Sequence, residues 1–214
     1  MLCTNRAESF STHSSESSPI PTSCFVDVVL VPLPVWIALA VLAALFIVPR
    51  RLIAGLTSSS DEQPLKLRRP SWLYRTVAGI YYILIICNIL MHTLEIVRLS
   101  LIHFGIGLLP FAYVGLLLGA GLHWSRGGGG GGAGGRRRIP AWLIVNTVVW
   151  LGGMTTSVVK VVGLDRESDP RKGSKYPMSD QVLDVAVIAG VYGVIAALEL
   201  VTWLWRRQNH SLHK

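Results

Sequence analysis

Asn88, His92 and Glu95 fall at positions i, i+4 and i+7, the spacing that sets three side chains on one face of a helix. An imidazole beside a carboxylate is the raw material of a metal or proton-relay site. The plainer role for the same stripe is interhelical hydrogen bonding, with its outer end among lipid headgroups. A metal site takes three or four ligands, and the nearest further candidate is His103, so the spacing predicts no metal. Glu199 is the one charge in the apolar run Val185 to Trp205, and Asn146 lies inside another, Ile139 to Val159. A carboxylate so placed is expected to reach water, to pair with a neighbour such as Asn146, or to serve transport.

Catalysis finds little else to use. The chain has no His-Glu-x-x-His, no Gly-x-Ser-x-Gly and no paired carboxylates on one helix face within an apolar run. Gly127 to Gly135, nine residues with one Ala, lacks the Lys-Ser/Thr ending of a phosphate loop and reads as a flexible linker. Neither an enzyme nor a cofactor is expected.

The elements that must position these residues are apolar. Of 214 residues, 51% are hydrophobic and 15% charged, against about 25% charged in soluble domains. That excludes a disordered chain, and 3 Cys exclude a disulfide-dense scaffold. A hydrocarbon core about 30 Å thick needs roughly 20 apolar residues in a helix. Five stretches qualify, predicting spans at 28–48, 77–97, 102–123, 140–159 and 185–205. The expected fold is therefore all-α and integral to the membrane, with five transmembrane helices. It leaves a Ser-rich tail (1–27), the glycine linker (127–135) in a loop, and a short tail (206–214).

Trp72, Trp124, Trp142, Trp203 and Trp205 stand at borders, where indole rings favour the headgroup level. Only Glu95 to His103 separates the second and third spans, which predicts a tight helical hairpin. Pro32 and Pro34 predict a bend early in the first span, and Pro110 one inside the third. Small residues at four-residue spacing let helices pack closely. Gly115 and Gly119 do so on the third span; Ala189, Gly193 and Ala197, and also Ala186 and Gly190, do so on the fifth.

Loop charge sets the expected orientation. Thirteen Lys and Arg fall on the side of the first loop, the third loop and the final tail, and seven on the other, where five in the fourth loop meet five acidic residues. The positive-inside rule then places the N-terminus exoplasmic and the C-terminus cytosolic. The first 25 residues lack the basic-then-apolar order of a cleavable signal. Arg136 to Arg138 would face anionic lipid, so lipids and no nucleic acid are the expected partners. Cys3 and Cys24 then share the exoplasmic tail, where a disulfide is a candidate, while Cys87 lies in a span.

The string Thr22-Ser-Cys-Phe-Val-Asp-Val-Val-Leu-Val-Pro32, together with a third span running into a basic loop (Trp124 to Arg138), resembles transmembrane domain zero. This is the extra N-terminal domain of subfamily C ABC transporters, the multidrug-resistance-associated and yeast cadmium-factor-like proteins. The family continues through a cytosolic linker to its core beyond the point matching Lys214. The resemblance implies a vacuolar or plasma-membrane location, a transporter core as partner, and a targeting or docking role. The alternative is a small solute transporter or channel, with Asn88, His92, Asn146 and Glu199 along a polar path.

Overall fold

The computed structural model describes residues 23–47, 72–127, 139–166 and 177–211. Cys3 and most of the glycine linker lie outside them. The described residues contain helices and turns and no strand. The elements are α1 (Ser23–Phe25) leading into a π-helical turn (Val26–Leu30), α2 (Leu33–Ile47), α3 (Trp72–Leu101), α4 (Phe111–Gly127), α5 (Ile139–Arg166) and α6 (Met178–Ser211). Among the described residues, four segments are long and apolar enough to cross a membrane: Val26–Ile47, Trp72–Leu101, Trp142–Asp165 and Ser179–Leu204.

Burial runs opposite to that of a soluble bundle. On α3, Asn88, His92 and Glu95 are buried while Ile83 and Leu90 are about 60% exposed (60% and 61%). Polar groups inside and bulky apolar groups outside are consistent with an integral membrane protein, where lipid wets the outer face.

The helices close a ring in the order α2, α4, α3, α6, α5, and α5 also touches α4 across it. Trp150 of α5 is fully buried at the centre, among Ala38, Tyr81, Ile85, Leu116, Val145, Val149, Ile188, Tyr192 and Ile195. Glycines make this approach possible. A Cβ on Gly119 would collide with the Trp150 indole, one on Gly115 would stand 2.8 Å from Val35 Cγ2, and one on Gly153 would stand 2.8 Å from the Tyr192 ring. Gly152 likewise seats Pro34, at 2.5 Å. The two small-residue stripes of α6 part company: Ala189 is buried and Gly193 faces Met154, whereas Ala186, Gly190 and Ala197 face outward.

Three expectations need correction. The turn between the second and third spans is not a hairpin at Glu95 to His103, because α3 runs on to Leu101 and the reversal occupies residues 102–110. His103, Gly105 and Gly107 carry positive φ there (53°, 78° and 56°). Two glycines inside an apolar string stop the helix where hydropathy alone sees a continuous span. The helix of the third span, α4, is consequently only 17 residues, about 25 Å. Pro110 precedes α4 instead of bending it, as suits a residue with no N–H to offer a helix interior. Trp142, the first residue of the apolar segment Trp142–Asp165, is also buried, its ring 6.1 Å from that of His123. The bend at the start of the first span is present: the π turn and α2 meet at Val31–Pro32, where the Pro32 carbonyl accepts from Val35 and Trp36.

These contacts order a set of substitutions. Gly119→Leu and Gly153→Leu should each destabilise the bundle by about 1–3 kcal/mol, the usual cost of overpacking. Leu117→Ile and Gly190→Leu, both on the outer surface, should leave the melting temperature in lipid nanodiscs nearly unchanged. Equal effects at all four positions would contradict the packing.

Candidate functional site

The polar side chains of α3, α5 and α6 gather along the bundle axis in two groups. At one end, α5 continues past Val159 and carries Lys160 into the interior, where it is 5% exposed. Its Nζ donates to Asp27 Oδ1 at 2.6 Å and to Glu95 Oε1. Asp27, 1% exposed, belongs to the π turn, and Glu95 to α3. One ammonium thus joins three separate elements. Isolated, each charge would cost several kcal/mol to remove from water; mutual pairing offsets that. Asp27 is fixed from a second side, because its carbonyl accepts from Leu108 N–H at 3.2 Å. Gly107 lets the loop come this close: a Cβ there would stand 3.1 Å from Asp27 Cβ.

Neighbouring groups extend the cluster. His92 is 4% exposed; its Nε2 lies 3.2 Å from the Tyr192 hydroxyl and its Nδ1 lies 3.9 Å from Glu95 Oε2. Arg98 of α3 forms an ion pair with Asp184 of α6 nearer the surface. Two cavities of about 20 Å3 flank Glu95 and Lys160. Each has room for about one water.

At the other end Asn146 Nδ2 donates to Glu199 Oε1 at 2.9 Å and, at 3.4 Å, to the Gly119 carbonyl. Both residues are buried, and Tyr81 lies beside Glu199. Tyr81 stacks on His123, ring centroids 4.3 Å apart, and the Tyr82 hydroxyl pairs with His123 Nδ1 at 2.9 Å. Between the two groups stands Asn88, fully buried, with neither amide atom hydrogen-bonded to protein.

Of the residues singled out in the sequence, His92 and Glu95 meet, Asn146 and Glu199 meet, and the Asn88 amide hydrogen-bonds to neither group. Gly115, Gly119, Ala189 and Gly193 face neighbouring helices, but Ala197 does not. Cys24 is buried and disulfide-bonded, and Cys87 is free. No group of three or more His, Cys, Asp or Glu is placed to hold a metal among the described residues. Asp27 and Lys160 correct the expected boundaries, since one was assigned to the tail and the other to the fourth loop. Each is a single charge flanked by apolar residues, Phe25-Val26 and Val28-Val29 for Asp27, Val158-Val159 and Val161-Val162 for Lys160. That flanking is the signal that identifies a charge held inside the bundle.

The chain matches no protein-family model, no curated protein and no solved structure. Chemically, what the two groups do is fasten helices: each charged or amide side chain is engaged by a partner on another element.

Asn146→Leu should cost about 1.5–3 kcal/mol, the range for a lost hydrogen bond to a charged group, read as a lower melting temperature in nanodiscs. Glu199→Gln should cost much less, because an amide oxygen still accepts from Asn146. A larger loss for Glu199→Gln than for Asn146→Leu would show that the charge itself is the required feature.

Proposed function

We propose that this chain is a membrane-embedded assembly and docking domain, related to transmembrane domain zero of subfamily C ABC transporters. Its N-terminus is exoplasmic and its C-terminus cytosolic, in a vacuolar or plasma membrane, and its partner is another membrane protein such as a transporter core. It does no catalysis. One observation carries the reading. Ala186, Gly190 and Ala197 form an outward face on α6, with open space above Gly190. Small residues at such a spacing let a second transmembrane helix approach backbone to backbone, where lipid provides no hydrophobic drive for association. Water-sized cavities beside the axial polar groups fit the same reading, because they leave the outer surface as the working part.

A second reading, a small transporter or channel in a closed state, is favoured by the convergence of α3, α5 and α6 polar groups on one axis. It requires the two polar groups to become joined by water when the bundle opens.

The test is site-specific photocrosslinking in native membranes, from Val187 and Val194 beside Gly190, with Ile83 on α3 as control. Docking predicts a discrete protein adduct from the α6 positions, only lipid adducts from Ile83, and loss of the protein adduct in Gly190→Leu with the fold intact. Lipid adducts alone from every position would overturn docking. Solute flux through the purified chain in proteoliposomes would favour the second reading.

A further inference from the structure

Six polar side chains line the cavity beside His92: His92 itself, Glu95, Thr156, Ser157, Lys160 and Tyr192. They come from α3, α5 and α6, and on α5 the spacing groups them. Thr156, Ser157 and Lys160 fall at i, i+1 and i+4, so they share one side of the helix. The space is about 20 Å3, enough for one water. A buried water stays where two to four polar groups hold it, whereas a purely apolar cavity stays dry.

The polar atoms are placed to hold one. His92 is 4% exposed, and its Nδ1 has no hydrogen-bond partner in the protein. The Tyr192 hydroxyl pairs with Nε2 at 3.2 Å and so fixes the ring. Nδ1 then stands 3.9 Å from Glu95 Oε2, too far for a direct hydrogen bond and a gap that a water closes. The other carboxylate oxygen, Oε1, accepts from Lys160. Thr156 Oγ1 donates to the Gly153 carbonyl at 3.1 Å, and a hydroxyl so engaged still has lone pairs to accept with. Charge decides the chemistry of the occupant. The Lys160 ammonium repels a cation from this space, and the Glu95 carboxylate repels an anion. What fits is neutral, water-sized and able both to donate and to accept, and it serves Nδ1 in either tautomer of His92.

We propose that this cavity is a binding site for one ordered water, held by His92 Nδ1, Glu95 Oε2 and the Ser157 hydroxyl. The water joins two sets of contacts into one network. One is the His92–Tyr192 pair between α3 and α6, and the other is the Lys160 junction of α5 with α3 and the π turn. It exchanges with bulk through the adjoining cavity, which shares Glu95, Lys160 and Val185 with the first. That second cavity reaches Gln181 and Asp184, and the Asp184 side chain is 21% exposed.

Water-edited solid-state NMR of the full chain in lipid bilayers tests the site, because it reads magnetisation passing from water to named side chains. The His92 ring and Ser157 Cβ should receive it sooner than Val145, which is fully buried and lines neither cavity. Ser157→Val puts added methyl volume into the space and should delay transfer to the His92 ring. Ser157→Ala leaves the room open and should keep the transfer fast. Lys160 and Tyr192 retain their own exchangeable protons in both variants, so the difference between the two reports the water. Transfer to His92 no faster than to Val145 in the wild-type chain would overturn the site. Equal transfer in Ser157→Val and Ser157→Ala would overturn it as well. The wild-type comparison stands alone, so a variant that fails to fold does not remove the test.

Discussion

A lysine ammonium held between two carboxylates is the contact on which the rest of the bundle depends. Lys160 binds Asp27 from the π turn and Glu95 from α3 while itself belonging to α5. The arrangement explains why α5 runs through to Arg166 instead of ending at the last apolar residue. Inside the bundle, helical backbone satisfies its own hydrogen bonds, and the one costly group on that stretch is met by two acids. It also accounts for the irregular start of the first span. The π turn sets Asp27 facing the interior, and the break at Val31–Pro32 returns the chain to α-helix for α2. The loop before α4 is recruited to the same point through the Leu108 N–H bond to the Asp27 carbonyl.

Packing at the centre of the bundle follows a different rule. Trp150 fills the axis because Gly119 has no side chain, and the resulting closeness brings the Gly119 carbonyl within reach of Asn146, which also holds Glu199. Apolar fit and polar pairing are thus one contact seen from two sides. The two ends of the bundle are fastened by polar groups and its middle by Trp150, while Asn88 lies between them without a protein partner. Outside, α6 keeps a face of small residues, Ala186, Gly190 and Ala197, that none of the described helices covers.

Much of this was legible in the residues. Long uncharged stretches identify the helices, Pro32 and Pro34 mark the break, and Gly115 and Gly119 mark close contact. Asn146 and Glu199 were visible as candidates because each lies well inside an apolar run, where any polar group stands out. Asp27 and Lys160 were not, because each lies where a hydropathy window ends, and a charge there is assigned to water by default. The turn at residues 102–110 was hidden for the opposite reason: its glycines sit among Ile, Phe and Leu, and composition alone continues the helix through them. Ala189 and Gly193 point inward and Ala186 and Gly190 outward, a choice set by neighbours that the pattern of α6 alone does not contain.

The central claim is that Lys160 and its acids act as one unit. A double-mutant cycle of Asp27→Asn and Lys160→Met, by reversible unfolding in bicelles, measures this most directly. The account predicts that each single substitution destabilises the bundle and that the double variant loses less than the sum. The difference should be about 1–3 kcal/mol, the range found for residues in direct contact. Additivity within about 0.5 kcal/mol would show the two residues to be independent and would contradict the account.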